Sequence, residues 1–330
     1  MCPCPLPLAR TGTAPGRAAT EPTLGDRTSS LGHRPWSVVW ARGPGCPALS
    51  DLLGEGQARR VGPDLRASCI EARADLLVAG RFTSFDLVPI AVPHAFDAGA
   101  VTEVVAAVAG GPHSLFAARV AERLAGALGV PAALLASSPD AGSDEAAEEA
   151  LRRAADLARV PERRLVRAAN PAATARGLSR GSLLVLGAPG GTWWRRQFFG
   201  PGHRLQAEAP AGAVVVRTAP RRCFHEMSEP AAMGRQMPVG EALRLTTDAV
   251  LPVADDGYLV GLVHRAALQA APPTATIGSL MEAPLSVRLE DPLAAARALA
   301  GPLAGSPVPV VDAGGRLCGL LALSPPDPVR

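Results

Sequence analysis

Between Val101 and Arg217 short apolar runs alternate with longer stretches of helical periodicity, and that alternation constrains the fold more than any other feature of the chain. Val104–Val108 reads as a buried strand. His113–Leu128 reads as an amphipathic helix, with Leu115, Ala118, Leu124 and Leu128 broadly on one face and a stop at Gly129. Ala132–Ala136 is the next strand, and Asp144–Ala158 is a helix that starts acidic and ends near arginine, as the macrodipole favours. Leu165–Arg167 is a short strand, Ala172–Leu178 a helix, and Ser182–Leu186 and Ala213–Arg217 the last two strands. The order predicts an α/β fold with a parallel sheet covered on both faces by helices.

The strand Ser182–Leu186 breaks into glycines spaced as Gly187-x2-Gly190-x9-Gly200. Glycines after a buried parallel strand and before a helix suit a phosphate cradle. Backbone N–H groups point at the anion, the helix N-terminus adds partial positive charge, and no Cβ blocks the approach. Arg195, Arg196 and Arg204 follow as candidate phosphate partners or as a solvated basic face, and Trp193, Trp194, Phe198 and Phe199 form an aromatic cluster beside them.

Composition excludes more than it selects. The chain has 330 residues and a net charge of +3, too weak for a nucleic-acid footprint, and no basic stripe with interleaved aromatics occurs. All 33 basic residues are arginine. With 48% hydrophobic and 4% aromatic residues, the core must be built from Ala, Val and Leu. No apolar run reaches the roughly 18 residues of a membrane helix, and the N-terminus lacks the charged and apolar regions of a signal peptide, so the expectation is a cytoplasmic protein. Cysteines 2, 4, 46, 69, 223 and 318 give neither metal spacing nor a disulfide framework.

Residues 1–35 read as a disordered extension rich in Pro, Gly, Thr and Arg. Ser37–Ala41, Ala74–Gly80 and Leu87–Pro93 read as strands, the last with prolines that suit an edge. Asp75–Gly80 echoes Ser182–Gly187, and Ile90–Val92 echoes Val214–Val216. The segment 36–94 is thus either a shortened relative of the domain at 95–220 or an unrelated extension.

Residues 221–235 read as a linker. Beyond it a phrase occurs twice: strand Ala249–Ala254, turn Asp255-Asp256-Gly257 and strand Tyr258–Val263 return as Ser306–Val311, Asp312–Gly315 and Arg316–Leu321. Each copy follows a helix, and the pair occupies 236–325.

The order of elements over 101–217, with the glycine spacing, resembles the universal stress protein family, whose fold is a parallel-sheet adenine-nucleotide α-hydrolase-like domain. The tandem phrase resembles a CBS-domain pair. The first resemblance implies that ATP with Mg²⁺, or AMP, is held by Ala109, Gly110, Gly111, Leu135, Ala136, Gly187, Gly190, Gly191, Arg195, Gly200, Pro201 and Gly202. Two of these depart from the family pattern. Ala109 stands where an acid holds the nucleoside, and Pro201 stands where Ser or Thr follows the last glycine. The second resemblance implies adenosyl-nucleotide binding through a hydroxyl and an Asp after the last strand of each repeat. His264 and Ala267 occupy those places in the first copy, and Ala322 and Pro325 in the second.

No catalytic set is present. The chain lacks the lysine of a phosphate-loop enzyme and any G-x-S-x-G, and histidines 33, 94, 113, 203, 225 and 264 lie in different elements. The expectation is a non-enzymatic stress or regulatory protein, a homodimer with a nucleotide ligand and a further protein partner. The alternative is a scaffold that keeps both folds for dimerisation or protein binding and takes no nucleotide.

Overall fold

The computed structural model describes residues 35–168, 173–174, 177–188, 209–299 and 306–322. Nine strands form one sheet in the order β2-β1-β3-β4-β9-β8-β5-β6-β7. They are β1 Val38–Trp40, β2 Arg59–Arg60, β3 Leu76–Val78, β4 Ile90–His94, β5 Glu103–Ala107, β6 Ala132–Ser138, β7 Glu162–Arg167, β8 Ser182–Gly187 and β9 Ala213–Arg217. Every neighbouring pair is parallel except β4 and β9.

The strands from β5 to β9 carry the expected alternation. Helix α3 (Pro112–Leu128) starts with proline in its first turn and stops at Gly129, whose φ of 68° is the left-handed conformation that ends helices without steric penalty. Its buried stripe is mostly alanine (Ala117, Ala118, Ala121, Ala125) with Leu124, so the helix lies close against β5 and β8, while Leu115 and Leu128 pack at the margin. Helix α4 (Asp144–Ala158) buries Ala150, Leu151, Ala154 and Ala158, and Arg167 pairs with Asp144 in its first turn. Strand β7 starts three residues earlier than expected, since Glu162, Arg163 and Arg164 are charged, as suits an edge strand, and so give no apolar signal. Of the helix expected over 172–178, residues 172, 175 and 176 lie outside the described residues.

At the N-terminal end of β5, Glu103 accepts hydrogen bonds from Ser179 and Ser182 and pairs with Arg164 at 2.9 Å. Ser182 is fully buried, and this network satisfies its hydroxyl.

Residues 36–94 build four further strands of the same sheet, with α1 (Cys46–Leu53) and α2 (Leu65–Glu71) between them. Their order, β2-β1-β3-β4, mirrors β6-β5-β8-β9 across the antiparallel β4–β9 contact. The echoing segments of the sequence thus occupy mirrored places, β3 opposite β8 and β4 opposite β9. Strand β4 is interior, not the edge its prolines suggested. The β3–β4 register ends at Val78↔Ala91, so Pro93 lies beyond the reach of β3 and no ladder hydrogen bond on that side depends on its missing N–H.

The tandem phrase folds as two three-stranded sheets of one design. Strands β10 (Met233–Gly234), β11 (Val250–Asp255) and β12 (Tyr258–His264) form the first, with helices α6 (Val239–Leu245) and α7 (Arg265–Ala270). Strands β13 (Val287–Arg288), β14 (Val308–Val311) and β15 (Leu317–Leu321) form the second, with helix α8 (Leu293–Leu299). In each the first pair is parallel, the second antiparallel, and a bulge falls at the matching position, Val253/Ala254 and Val310/Val311. Each repeat lends its lead-in segment to the other. Ser228 bridges Leu320 and Glu282 bridges Leu262. Gly261 and Gly319 are required there. A Cβ on Gly319 would lie 2.9 Å from Met227 Sδ and closer still to the Ser228 carbonyl oxygen, and one on Gly261 would lie 2.9 Å from the Glu282 carbonyl oxygen.

The segment 221–235, expected as a linker, carries the short helix α5 (Cys223–Glu226) with Cys223, Phe224 and His225 buried. Phe224 joins a core that contains Val39, Leu77, Ile90 and Val92 of the large sheet together with Val287, Val308, Val310 and Leu321 of the second repeat. The first repeat keeps a core of its own around Val239, Leu251, Val263 and Ile277. Thus the second repeat is fastened to the N-terminal half of the sheet through α5. Arg73 donates to the Met227 carbonyl at 2.7 Å, and Arg222 reaches the carbonyls of Asp86 and Glu290.

His225 sits in this seam, 7% exposed and stacked on Phe224. Its Nδ1 accepts from the Arg222 N–H at 3.1 Å, so Nε2 carries the proton and donates to the Ala74 carbonyl at 2.9 Å. Burial, with Arg221 nearby, holds its pKa below the ordinary 6.5, against the opposing pull of Asp75 and the backbone carbonyls. A lowered folded pKa means that the unfolded chain binds the proton first as pH falls. Stability is expected to drop as pH goes from about 7 through 6.5 and to level off once the folded imidazole also charges. Urea unfolding at stepped pH checks this, with His225→Gln expected to flatten that window and leave the acid-side loss from Glu103, whose pKa is also lowered, in place.

Candidate functional site

In the half-sheet β9-β8-β5-β6-β7 the chain leaves β5 toward β6 on one side, while β8 and β9 lie on the other. A crevice at the carboxyl ends of β5 and β8 results, the switch point at which open α/β sheets take their ligands. The structure brings four of the candidate residues to it. Ala109, Gly110 and Gly111 join β5 to α3, and Gly187 ends β8.

Each residue has a local reason. Gly110 has φ of 76°, a conformation that favours glycine. Gly111 is the N-cap of α3 with no side chain to occupy the helix end, and a Cβ added there would meet nothing within 4 Å. Gly187 lets β8 touch the first turn of α3, where a Cβ would lie 2.6 Å from Ser114 N and 2.7 Å from His113 C. The result is a floor of bare backbone at the N-terminus of a 17-residue helix.

Ser114 is the residue that sequence reasoning missed. Its buried hydroxyl accepts from Ala109 N at 3.2 Å and donates to the Gly111 carbonyl at 2.9 Å, which pins the loop from inside. The only signal was a serine two residues after the proline that opens the helix. His113 Nδ1 accepts from Thr218 N at 3.2 Å and ties α3 to the chain leaving β9. Ala109 offers only a methyl group there and no hydrogen-bonding side chain.

Leu135 and Ala136 are placed differently. Both are buried within β6, paired with Arg164 and Leu165 of β7, and the Leu135 carbonyl accepts from Val108 N at 2.8 Å. They brace the floor of the sheet one strand from the crevice. Gly190, Gly191, Arg195, Gly200, Pro201 and Gly202 lie outside the described residues, as do Trp193, Trp194 and the two neighbouring phenylalanines.

In the tandem repeat His264 caps α7 and faces Glu282 across 3.7 Å, an ion pair only when the imidazole is protonated. Arg265 donates to the Thr246 carbonyl. Neither His264 nor Ala267 supplies the hydroxyl and acid of a nucleoside clamp, and Pro325 lies outside the described residues.

Among the described residues no cluster of three or more His, Cys, Asp or Glu is placed to hold a metal ion, and no helix is long and apolar enough to cross a membrane. Burial pushes the Cys69 thiol up to about 12 and Cys223 up to about 11, so neither is a thiolate at neutral pH.

No protein-family model matches the chain, and no curated protein matches it. Solved structures similar to part of it include CBS-domain pairs. The cytosolic domain of the Mg²⁺ channel MgtE in complex with ATP is 25% identical over 37% of this chain and 52% of its own, with a TM-score of 0.29. The present chain therefore spans about half of that domain. The CBS-pair protein CBSX2 from Arabidopsis thaliana is 26% identical over 32% of this chain and 89% of its own, with a TM-score of 0.29. A CBS domain pair/ACT domain protein from Thermotoga maritima is 22% identical over 31% of this chain and 90% of its own, again with a TM-score of 0.29.

Proposed function

We propose that the chain is a non-enzymatic regulatory protein that binds an adenine nucleotide, ATP with Mg²⁺ or AMP, in the crevice between β5 and β8. In this reading the tandem repeat is a CBS pair that relays the bound state, and residues 36–94 are a shortened copy of the universal-stress-like domain. A homodimer, a cytoplasmic setting and a stress-related role belong to the same proposal. The observation that carries it is the convergence of Gly110, Gly111 and Gly187 on the N-terminus of α3 at the switch point of a parallel sheet. Among the described residues the floor there is bare backbone, and helix N-termini of this kind favour phosphate. With Ala109 in place of an acid, a charged hydrogen bond to the nucleoside is missing, so affinity is expected to be lower by roughly 10- to 150-fold than in a site that has one.

Gly111→Asp tests the reading without threatening the fold. Its φ of −78° and open surroundings accept a side chain, and aspartate is a preferred N-cap. The variant is expected to melt no lower than the parent, while its carboxylate repels phosphate and weakens ATP by at least about tenfold in calorimetric titration. Equal affinity for parent and variant would place any nucleotide elsewhere. A second reading, a scaffold that binds no nucleotide, is favoured by Ala109, His264 and Ala267. It predicts no saturable heat with ATP or AMP at millimolar concentration.

A further inference from the structure

Beyond β9 the structure holds a cavity of about 120 Å³ that the crevice does not include. It lies where three parts of the chain meet. Phe116 and Arg119 come from α3, Trp36, Asp75 and Pro89 from the N-terminal half of the sheet, and Thr218 to Arg221 with His225 from the seam leading to the tandem repeat. Junctions of this kind are where small-molecule sites form most often.

Its lining is polar in an ordered way. Trp36 stacks on Phe116, with ring centroids 5.8 Å apart, and this pair forms one wall. Asp75 is largely buried. Its carboxylate accepts from Ser37 N at 3.0 Å and lies 3.6 Å from Arg221, which also pairs with Glu226 at 2.9 Å. His225 contributes a neutral ring whose two nitrogens are both engaged with backbone. Arg119 differs from the rest. Among the described residues no carboxylate pairs with it, and its guanidinium lies 5.7 Å from the Trp36 ring centroid. The lining therefore carries two guanidiniums against one carboxylate, and the cation left over is the one at the aromatic wall.

We propose that this cavity binds a small organic monoanion, its oxyanion group held by Arg119 and its apolar part against Pro89, Phe116 and Pro220. A volume of this order accommodates a molecule of about five or six non-hydrogen atoms, somewhat less than the ~150 Å³ that admits benzene. An occupant would touch both the end of β9 and the α5 segment, and so would stabilise the seam that carries the second repeat. The ligand acts by its differential affinity for the docked seam, and no bond is made or broken.

The test uses the full chain with acetate, glycolate, butyrate and inorganic phosphate as probes, in chloride buffers of equal ionic strength. At least one carboxylate is expected to give saturable heat and a raised melting temperature. Arg119→Gln, an exposed change, is expected to weaken that binding at least about tenfold. Ala219→Leu, which fills the cavity without altering charge, is expected to do the same. Arg152→Gln on the far helix α4 is expected to have no effect. The proposal is overturned if no probe gives saturable heat, if Arg119→Gln and Ala219→Leu bind like the parent, or if phosphate alone binds and Gly111→Asp abolishes it. ATP titration of Arg119→Gln is expected to match the parent, so failure here is distinguishable from failure of the nucleotide site.

Discussion

Phe224→Ala is expected to destabilise the protein by about 3–5 kcal/mol, a large share of the stability of a typical domain. The ring is fully buried between the N-terminal half of the sheet and the second repeat, so its removal leaves a cavity lined by residues of both. Equilibrium urea unfolding followed by circular dichroism and by tryptophan fluorescence measures it. Because the core is shared, the two probes are expected to shift together. A shift below about 0.5 kcal/mol is what a surface position would give, and it would show that α5 is a tether and not a seam.

Gly212→Ala is expected to cost about 2–5 kcal/mol, the sum of two effects. Its φ of 89° is left-handed, which strains any residue with a Cβ by roughly 1–2 kcal/mol. The new methyl would also lie 2.7 Å from the Ala95 carbonyl carbon and 2.8 Å from the His94 oxygen. Those atoms lie at and one residue beyond the end of β4, and they cannot retreat without opening the β4–β9 ladder, in which His94 pairs with Ala213. Gly129→Ala is the control, since φ there is 68° and a Cβ would meet nothing within 4 Å. It isolates the strain. A Gly212→Ala variant no worse than Gly129→Ala would mean that β4 does not approach β9 as described.

Much of this architecture was legible in the sequence where local pattern and tertiary role agree. Helix α3 declared itself by its apolar spacing and by Gly129, and the tandem repeat by a phrase that occurs twice. Helices α1 and α2 gave no such signal, because eight and seven residues are too few for a helical period to rise above noise. Phe224 was hidden for a different reason. Its burial depends on Val39, Leu77 and Ile90, all distant in the chain, while its own segment carries Pro230 and Gly234, residues typical of linkers. Pro93 misled about the edge of the sheet, because a proline reports a missing N–H but not whether a neighbouring strand reaches far enough to need it. At the crevice the glycines were legible as strand-end glycines. The hydroxyl of Ser114 was not, since a helical serine is usually solvated and only the three-dimensional loop shows its partners.

The most direct measurement of the central claim is amide hydrogen exchange of the full chain with and without saturating ATP and Mg²⁺. Slowed exchange is expected at residues 108–115 and 184–188, with a smaller effect at 222–228 where the sheet meets the second repeat. Protection confined to 259–267 and 317–322, with none at 108–115, would contradict it and move the ligand to the tandem repeat.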